Sequence, residues 1–219
     1  FTSSVKNTHK KPTNSPKLKN SCKIDGKHLC GGDKPLKPPI GYIGSKAKLS
    51  DKLIKKMPPH DTYTEVFAGS GALFYKKPLS KKSILNDKDK DIIKVHKSLK
   101  NGRGFKSCNM KPSKTKFNNI KEKSNKSVCD VAYLNKLSFG NGMKSYSEDK
   151  ASRNSKDLGI SYQNSHSEDY KGKLKNTTIL NQDFKSVMKK SDKPKSFIYA
   201  DPPYVVGGDS YKIHGVTPQ

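Results

Sequence analysis

The chain has 219 residues, only 31% of them hydrophobic, and 45 Lys and Arg against 19 Asp and Glu give it a formal net charge of +26. With a mean hydropathy of -0.90, such a chain holds one small packed core plus basic appendages. It repels itself unless a polyanion neutralises it, so nucleic acid is the leading partner class, with plain solvated lysine faces as the bland alternative. No apolar stretch reaches the length of a membrane span, and the start, FTSSVKNTHKK, lacks the apolar centre of a signal peptide. The reading is therefore non-secreted and intracellular, in the cytoplasm or with the nucleoid or nucleus, and without a membrane partner. Cys22, Cys30, Cys108 and Cys129 are too few and too scattered for the disulfide framework of a secreted miniprotein. Cys22 and Cys30 flank His28 at a spacing that matches no common zinc pattern, so no metal is expected.

Residues 1–39 read as a Lys/Pro-rich basic arm ending in KPLKPP, suited to tracking a phosphate backbone or draping over another protein. The globular pattern begins at Ile40. Ser45 is placed to cap a helix carrying Leu49, Leu53, Ile54 and Met57 on one face before Pro58 ends it. Residues 63–67 predict a strand, AGSG a turn, ALFYKK a helix, residues 83–86 a second strand and DKDIIKVHKSLK a second helix. That alternation argues for an α/β fold with parallel strands and crossover helices. Residues 101–175 lose the regularity and read as a lysine-rich insertion around VCDVAYLNKLSFGNGM. Order returns with a strand and helix in TTILNQDFKSVMKK, then with SFIYA, a buried-looking strand running into DPPY.

In a doubly wound sheet, ligands sit beyond the carboxyl ends of the strands, where both strongest motifs fall. After YTEVF, Gly69 and Gly71 permit a tight turn and close approach of a ligand. Asp87, just after the second strand, stands where nucleotide-binding folds put a ribose-binding carboxylate. It is equally placed to cap the following helix. DPPY is the most specific motif. A ring-conjugated amino group is a poor nucleophile; Asp201 can accept one of its hydrogens and the Pro202 carbonyl the other, localising the lone pair, while Pro203 stiffens the turn and Tyr204 offers a stacking face. A rigid surface turn or a PPY peptide ligand is the competing reading.

Taken in order, these segments resemble the Dam-like, alpha-class, adenine-specific DNA methyltransferases over residues 40–204. The resemblance implies a Rossmann-like S-adenosylmethionine-dependent methyltransferase fold built from residues 40–100 and 176–219, with residues 101–175 as an inserted target-recognition subdomain. It implies S-adenosylmethionine as the methyl donor, with no metal. Tyr42 and Lys46 would border the donor's methionine portion and Phe67, Gly69 and Gly71 would form its cradle. Asp87 would bind ribose, and Asp183 and Phe184 would hold the donor's adenine. Asp201, Pro202, Pro203 and Tyr204 would hold a target adenine extruded from double-stranded DNA. Lys136 and Lys144 would contact phosphates. The segment YLNKLSF is as consistent with the family's target-recognition segment as with an ordinary core-facing helix. Restriction-modification is the setting expected for such DNA methylation.

Family members continue past DPPY with further strands and helices, whereas VVGGDSYKIHGVTPQ follows here, so FIYA is expected at or near a sheet edge, in a fragment or covered by a protein partner. The alternative function is a catalytically incomplete methyltransferase-like domain serving as a basic structural or DNA-binding component of a nucleoprotein assembly or virus particle. RNA or protein-glutamine methylation is a third reading, disfavoured by the order of the motifs.

Overall fold

The computed structural model describes residues 34–153 and 160–203, together with the backbone of two short strands, β1 (Lys23–Ile24) and β2 (Lys27–His28). The chain divides into two compact units, Phe1–Gly31 and Gly32–Gln219. In the first, β1 and β2 pair antiparallel, with Lys23 opposite His28. The side chains of Cys22, His28 and Cys30, and all of Tyr204, lie outside the described residues.

The second unit is built on four parallel strands, β3 (Thr62–Glu65), β4 (Lys82–Asn86), β5 (Thr177–Leu180) and β6 (Ser196–Tyr199), in the spatial order β5-β4-β3-β6. Their β-branched and aromatic content suits a pleated, partly buried surface. Register places Glu65 opposite both Leu85 and Tyr199, so all four strands point their carboxyl ends to one edge. The chain steps outward from β3 to β4 to β5, then returns to the other side of β3 with β6. That reversal is the switch point where open α/β sheets form their ligand crevice.

The crossovers are helical. Between β3 and β4 lies α2 (Ala72–Lys76), preceded in the chain by α1 (Ser50–Lys55). After β4 comes α3 (Lys90–Lys100), capped by Asp89, whose carboxylate accepts the N–H groups of Asp91 and Ile92. The stretch before β5 adds α4 (Lys114–Lys121), α5 (Val128–Leu137), α6 (Glu148–Arg153), α7 (Ser161–Ser165) and α8 (Ser167–Leu174). Helix α9 (Phe184–Ser191) joins β5 to β6. Ser127 and Asp130 form a capping box that fixes the start of α5. Buried residues of α3 (Ile92, Val95, Leu99), α5 (Val131, Leu134, Leu137) and α8 (Tyr170, Leu174) join Tyr63 and Leu85 of the sheet in one core, so the long insertion shares the core of the sheet.

Several local expectations are revised. Ser45 makes no capping bond; a 3-10 turn at Lys46–Lys48 precedes α1, the Ser45 hydroxyl lies 3.3 Å from that of Ser70, and Leu49 is 47% exposed. The residues of β6 are only half-buried, because β3 is its single strand neighbour among the described residues. Packing begins before Ile40: Leu36 is buried and its N–H donates to the Tyr75 carbonyl. Cys108 and Cys129, two of the four cysteines read as too scattered for a disulfide framework, form a disulfide across 21 residues that ties the segment after α3 to α5. Closing a loop of that length contributes about 3 kcal/mol by restricting the unfolded chain.

Candidate active site

The turn after β3 is the centre of the site. Gly69 and Gly71 both have left-handed backbones, with φ of 47° and 66°. A Cβ at Gly69 would lie 3.1 Å from the ring of Tyr42, so Gly69 is required both by its backbone and by the close approach of that ring. The Gly69 peptide is gripped from two directions. Its N–H donates to Asp87 Oδ2 at 2.7 Å, and its carbonyl accepts from His96 Nε2 at 2.9 Å. Because a carbonyl only accepts, Nε2 carries the imidazole proton, and Nδ1 accepts from the Tyr75 hydroxyl at 2.8 Å. Burial lowers the His96 pKa to about 4, so the ring that holds this loop is neutral near pH 7.

Asp87 is buried, which raises its pKa, while N–H donors from Asp89 and Gly69 work against the rise. Of the two roles open to it in the sequence, capping of α3 falls to Asp89, and Asp87 faces the glycine turn. Tyr42 stands over the same turn, and its hydroxyl is held neutral by burial and by the carboxylates of Asp87 and Asp89.

Asparagines join the strand ends. The Asn86 amide donates to the carbonyls of Val66 and Gln182 and accepts from the Gln182 N–H, and Asn181 donates to the Asp87 and Lys88 carbonyls. The loops after β3, β4 and β5 are thereby locked together. Phe67 and Phe184 consequently meet with ring centroids 5.1 Å apart. Asp183 is exposed and caps α9, accepting the Lys185 N–H at 2.9 Å.

Asp201 follows β6, with Pro202 exposed and Pro203 half-buried. Its carboxylate pairs with Lys46 Nζ at 2.6 Å, joining two predicted site residues that are far apart in the chain. Beside them is Glu65, 2% exposed, whose carboxylate accepts from the Tyr63 hydroxyl at 2.5 Å. Burial pushes its pKa up to about 7, opposed by the Tyr63 hydroxyl and the Phe74 N–H and aided by the Asp201 charge.

The predicted DNA-facing segment has a structural side and an exposed side. On α5, Asn135 is fully buried; its side chain accepts the Gly41 N–H and donates to the carbonyls of Gly41 and Asn141, clamping the segment before Tyr42 to the turn after α5. The core-facing reading of YLNKLSF thus holds for Tyr133, Leu134, Asn135 and Leu137. The turn then presents Phe139, 81% exposed, with half-buried Lys136 and exposed Lys144 on either side in sequence.

Glu65, His96, Asn86, Asn135 and Phe139 were not singled out as site residues by sequence reasoning. For His96 a signal existed: it falls four residues after Ile92 and three before Leu99, on the buried face of α3, where a polar side chain requires a partner. Among the described residues no cluster of His, Cys, Asp and Glu could hold a metal ion, and no helix is long and apolar enough to cross a membrane.

Comparison with curated proteins finds no match to the chain. A family model does match, over residues 42–215, from the Tyr42 turn through the glycine cradle to beyond Asp201, and by that match the chain belongs to the D12 class N6 adenine-specific DNA methyltransferase family.

Proposed function

We propose that this chain transfers a methyl group from S-adenosylmethionine to the exocyclic amino group of an adenine extruded from double-stranded DNA. The observation that carries the reading is the convergence, at the switch point of the sheet, of the Asp201 carboxylate with Lys46 and the Tyr42–Gly69–Asp87 cluster.

The residues present fit the donor. Left-handed Gly69 and Gly71 leave the cradle free of Cβ atoms, Asp87 supplies an acceptor for ribose hydroxyls, and the Phe67–Phe184 pair supplies an aromatic face. Those two rings touch, so an adenine stacks against the pair rather than between its members. When bound, S-adenosylmethionine supplies an electrophilic methyl group on a sulfonium leaving group. Asp201 and the Pro202 carbonyl accept the two hydrogens of the target amino group and turn its lone pair toward that methyl. The methylated amino group must lose one proton, and the Asp201 carboxylate would accept it. Lys46 orients the Asp201 carboxylate before substrate arrives, then shares or releases the oxygen it holds.

Residues 101–175 serve on this reading as the target-recognition region, with Lys136 and Lys144 on phosphates. Extrusion of a base costs a few kcal/mol, and an exposed apolar side chain that fills the vacated stack offsets part of it. Phe139→Ala is therefore expected to lower methyl transfer to duplex DNA by about tenfold and to leave transfer to single-stranded DNA nearly unchanged, as measured with a labelled donor. Equal losses on both substrates would remove Phe139 from base extrusion. The reading as a whole is tested by donor binding and methyl transfer on unmethylated DNA; a folded chain that does neither would leave a basic structural component as its role.

A further inference from the structure

The sheet carries a ligand-sized concavity at the edge opposite the glycine cradle. A cleft of about 710 Å³ opens where the strands begin, lined in part by the first residues of β3, β4, β5 and β6. Among the described residues, six of the fifteen that line it are lysines (Lys81, Lys82, Lys100, Lys175, Lys190 and Lys193) and none is Asp or Glu. That is twice the share expected of a chain with 45 Lys and Arg in 219 residues. Asp61 pairs with Lys81 at 3.2 Å and Lys100 donates to the Thr177 carbonyl at 2.6 Å, while Lys82, Lys175, Lys190 and Lys193 are exposed. Ser191 also lines the cleft; it is 3% exposed, and its hydroxyl has no hydrogen-bond partner. Ammonium groups gathered around a concave wall repel one another until an anion enters, and a buried hydroxyl without a partner calls for one.

The spread of the charges selects the anion. Four parallel strands span about 14 Å, over which one phosphate would meet only a fraction of the lysines, whereas a duplex presents about eight phosphate charges. Among the described residues, Ile84 and Pro194 are the only apolar ones lining the cleft, which suits a sugar-phosphate backbone better than a stacked base or the apolar centre of a protein interface.

We infer that this cleft binds the backbone of a second nucleic-acid segment without sequence preference. It lies at the far end of strands about 13 Å long from the residues that address adenine. The inference goes beyond the methyl-transfer reading, and its test uses a duplex of G·C pairs alone, which offers no adenine. Binding of that duplex is followed by fluorescence anisotropy across a salt series for the full chain, for a variant with Lys81, Lys82, Lys190 and Lys193 changed to Gln, and for a control with the exposed Lys52, Lys55, Lys56 and Lys97 changed to Gln. The cleft variant is expected to lower the slope of log affinity against log salt by about 3 to 4, the control by less than half as much, with methyl transfer to adenine-containing DNA reduced less than threefold in both. Bridging of two such duplexes carrying a donor and an acceptor fluorophore is expected for the full chain and lost in the cleft variant alone. Equal slopes for the two variants, or unchanged bridging by the cleft variant, would overturn the inference. Binding of poly-glutamate as tight as that of the duplex and lost with it in the cleft variant would also overturn it, and would assign the cleft to an acidic protein.

Discussion

Asp201→Ala is expected to lower methyl transfer to adenine by about 10³-fold while changing affinity for S-adenosylmethionine by less than about fivefold. The carboxylate stands at the end of β6 and pairs with Lys46, whereas the Gly69 peptide is held by Asp87 and His96, so on the proposed reading its loss removes an acceptor for the target amino group and leaves the contacts of the Tyr42–Gly69–Asp87 cluster in place. Asp201→Asn keeps an acceptor oxygen but cannot take the departing proton or hold Lys46 by charge, and an intermediate loss of about tenfold or more is expected. Donor titration and single-turnover transfer measured on the same preparations separate the two effects. A variant that loses donor affinity and transfer in equal measure would place Asp201 in the cradle, against the assignment.

The second large effect concerns stability against pH. Glu65 has a folded pKa pushed up to about 7 from 4.5, so its contribution is fully present below pH 4.5 and falls away by about 3 kcal/mol as pH rises through 7. His96 has a folded pKa lowered to about 4 from 6.5, so its contribution is fully present above pH 6.5 and falls away by about 3 kcal/mol as pH drops through 4. Between pH 4.5 and 6.5 the two slopes oppose each other and nearly cancel. Glu65→Gln keeps an oxygen for the Tyr63 hydroxyl and removes one of the two. The difference in unfolding free energy between the parent chain and this variant is expected to fall by about 3 kcal/mol from pH 4.5 to 7, read from urea denaturation at fixed ionic strength. A difference that stays constant over that interval would show that Glu65 carries no raised pKa. The cancellation also means that the glycine cradle, held by neutral His96, stays formed through the mildly acidic range.

The elements next to the glycine turn were legible because their signals are local. TYTE and SILN alternate with helical segments, and AGSG between them requires left-handed residues that glycine supplies at Gly69 and Gly71. β5 and α9 were legible as a short apolar run followed by a helical pattern, while Asp183, read as a contact to the donor's adenine, caps α9. What escaped were contacts made across long stretches of chain. Lys46 and Asp201 meet only because β6 returns to the side of β3, and nothing near either residue records that return. Asn135 was read within a helix, whereas its partners are the backbones of Gly41 and Asn141. Cys108 and Cys129 looked scattered because the folding of α4 and α5 brings them together. Ser45 had the right residue type for a cap, but a 3-10 turn intervened and its hydroxyl found Ser70.

The proposal that the chain methylates adenine in DNA is tested most directly by incubating it with S-adenosylmethionine and unmethylated duplex DNA, digesting the DNA to nucleosides and separating these by mass. The account predicts N6-methyladenine as the methylated nucleoside, at least about 10³-fold reduced when Asp201→Ala replaces the parent chain. Methyl groups on cytosine, or N6-methyladenine formed equally well by Asp201→Ala, would contradict it.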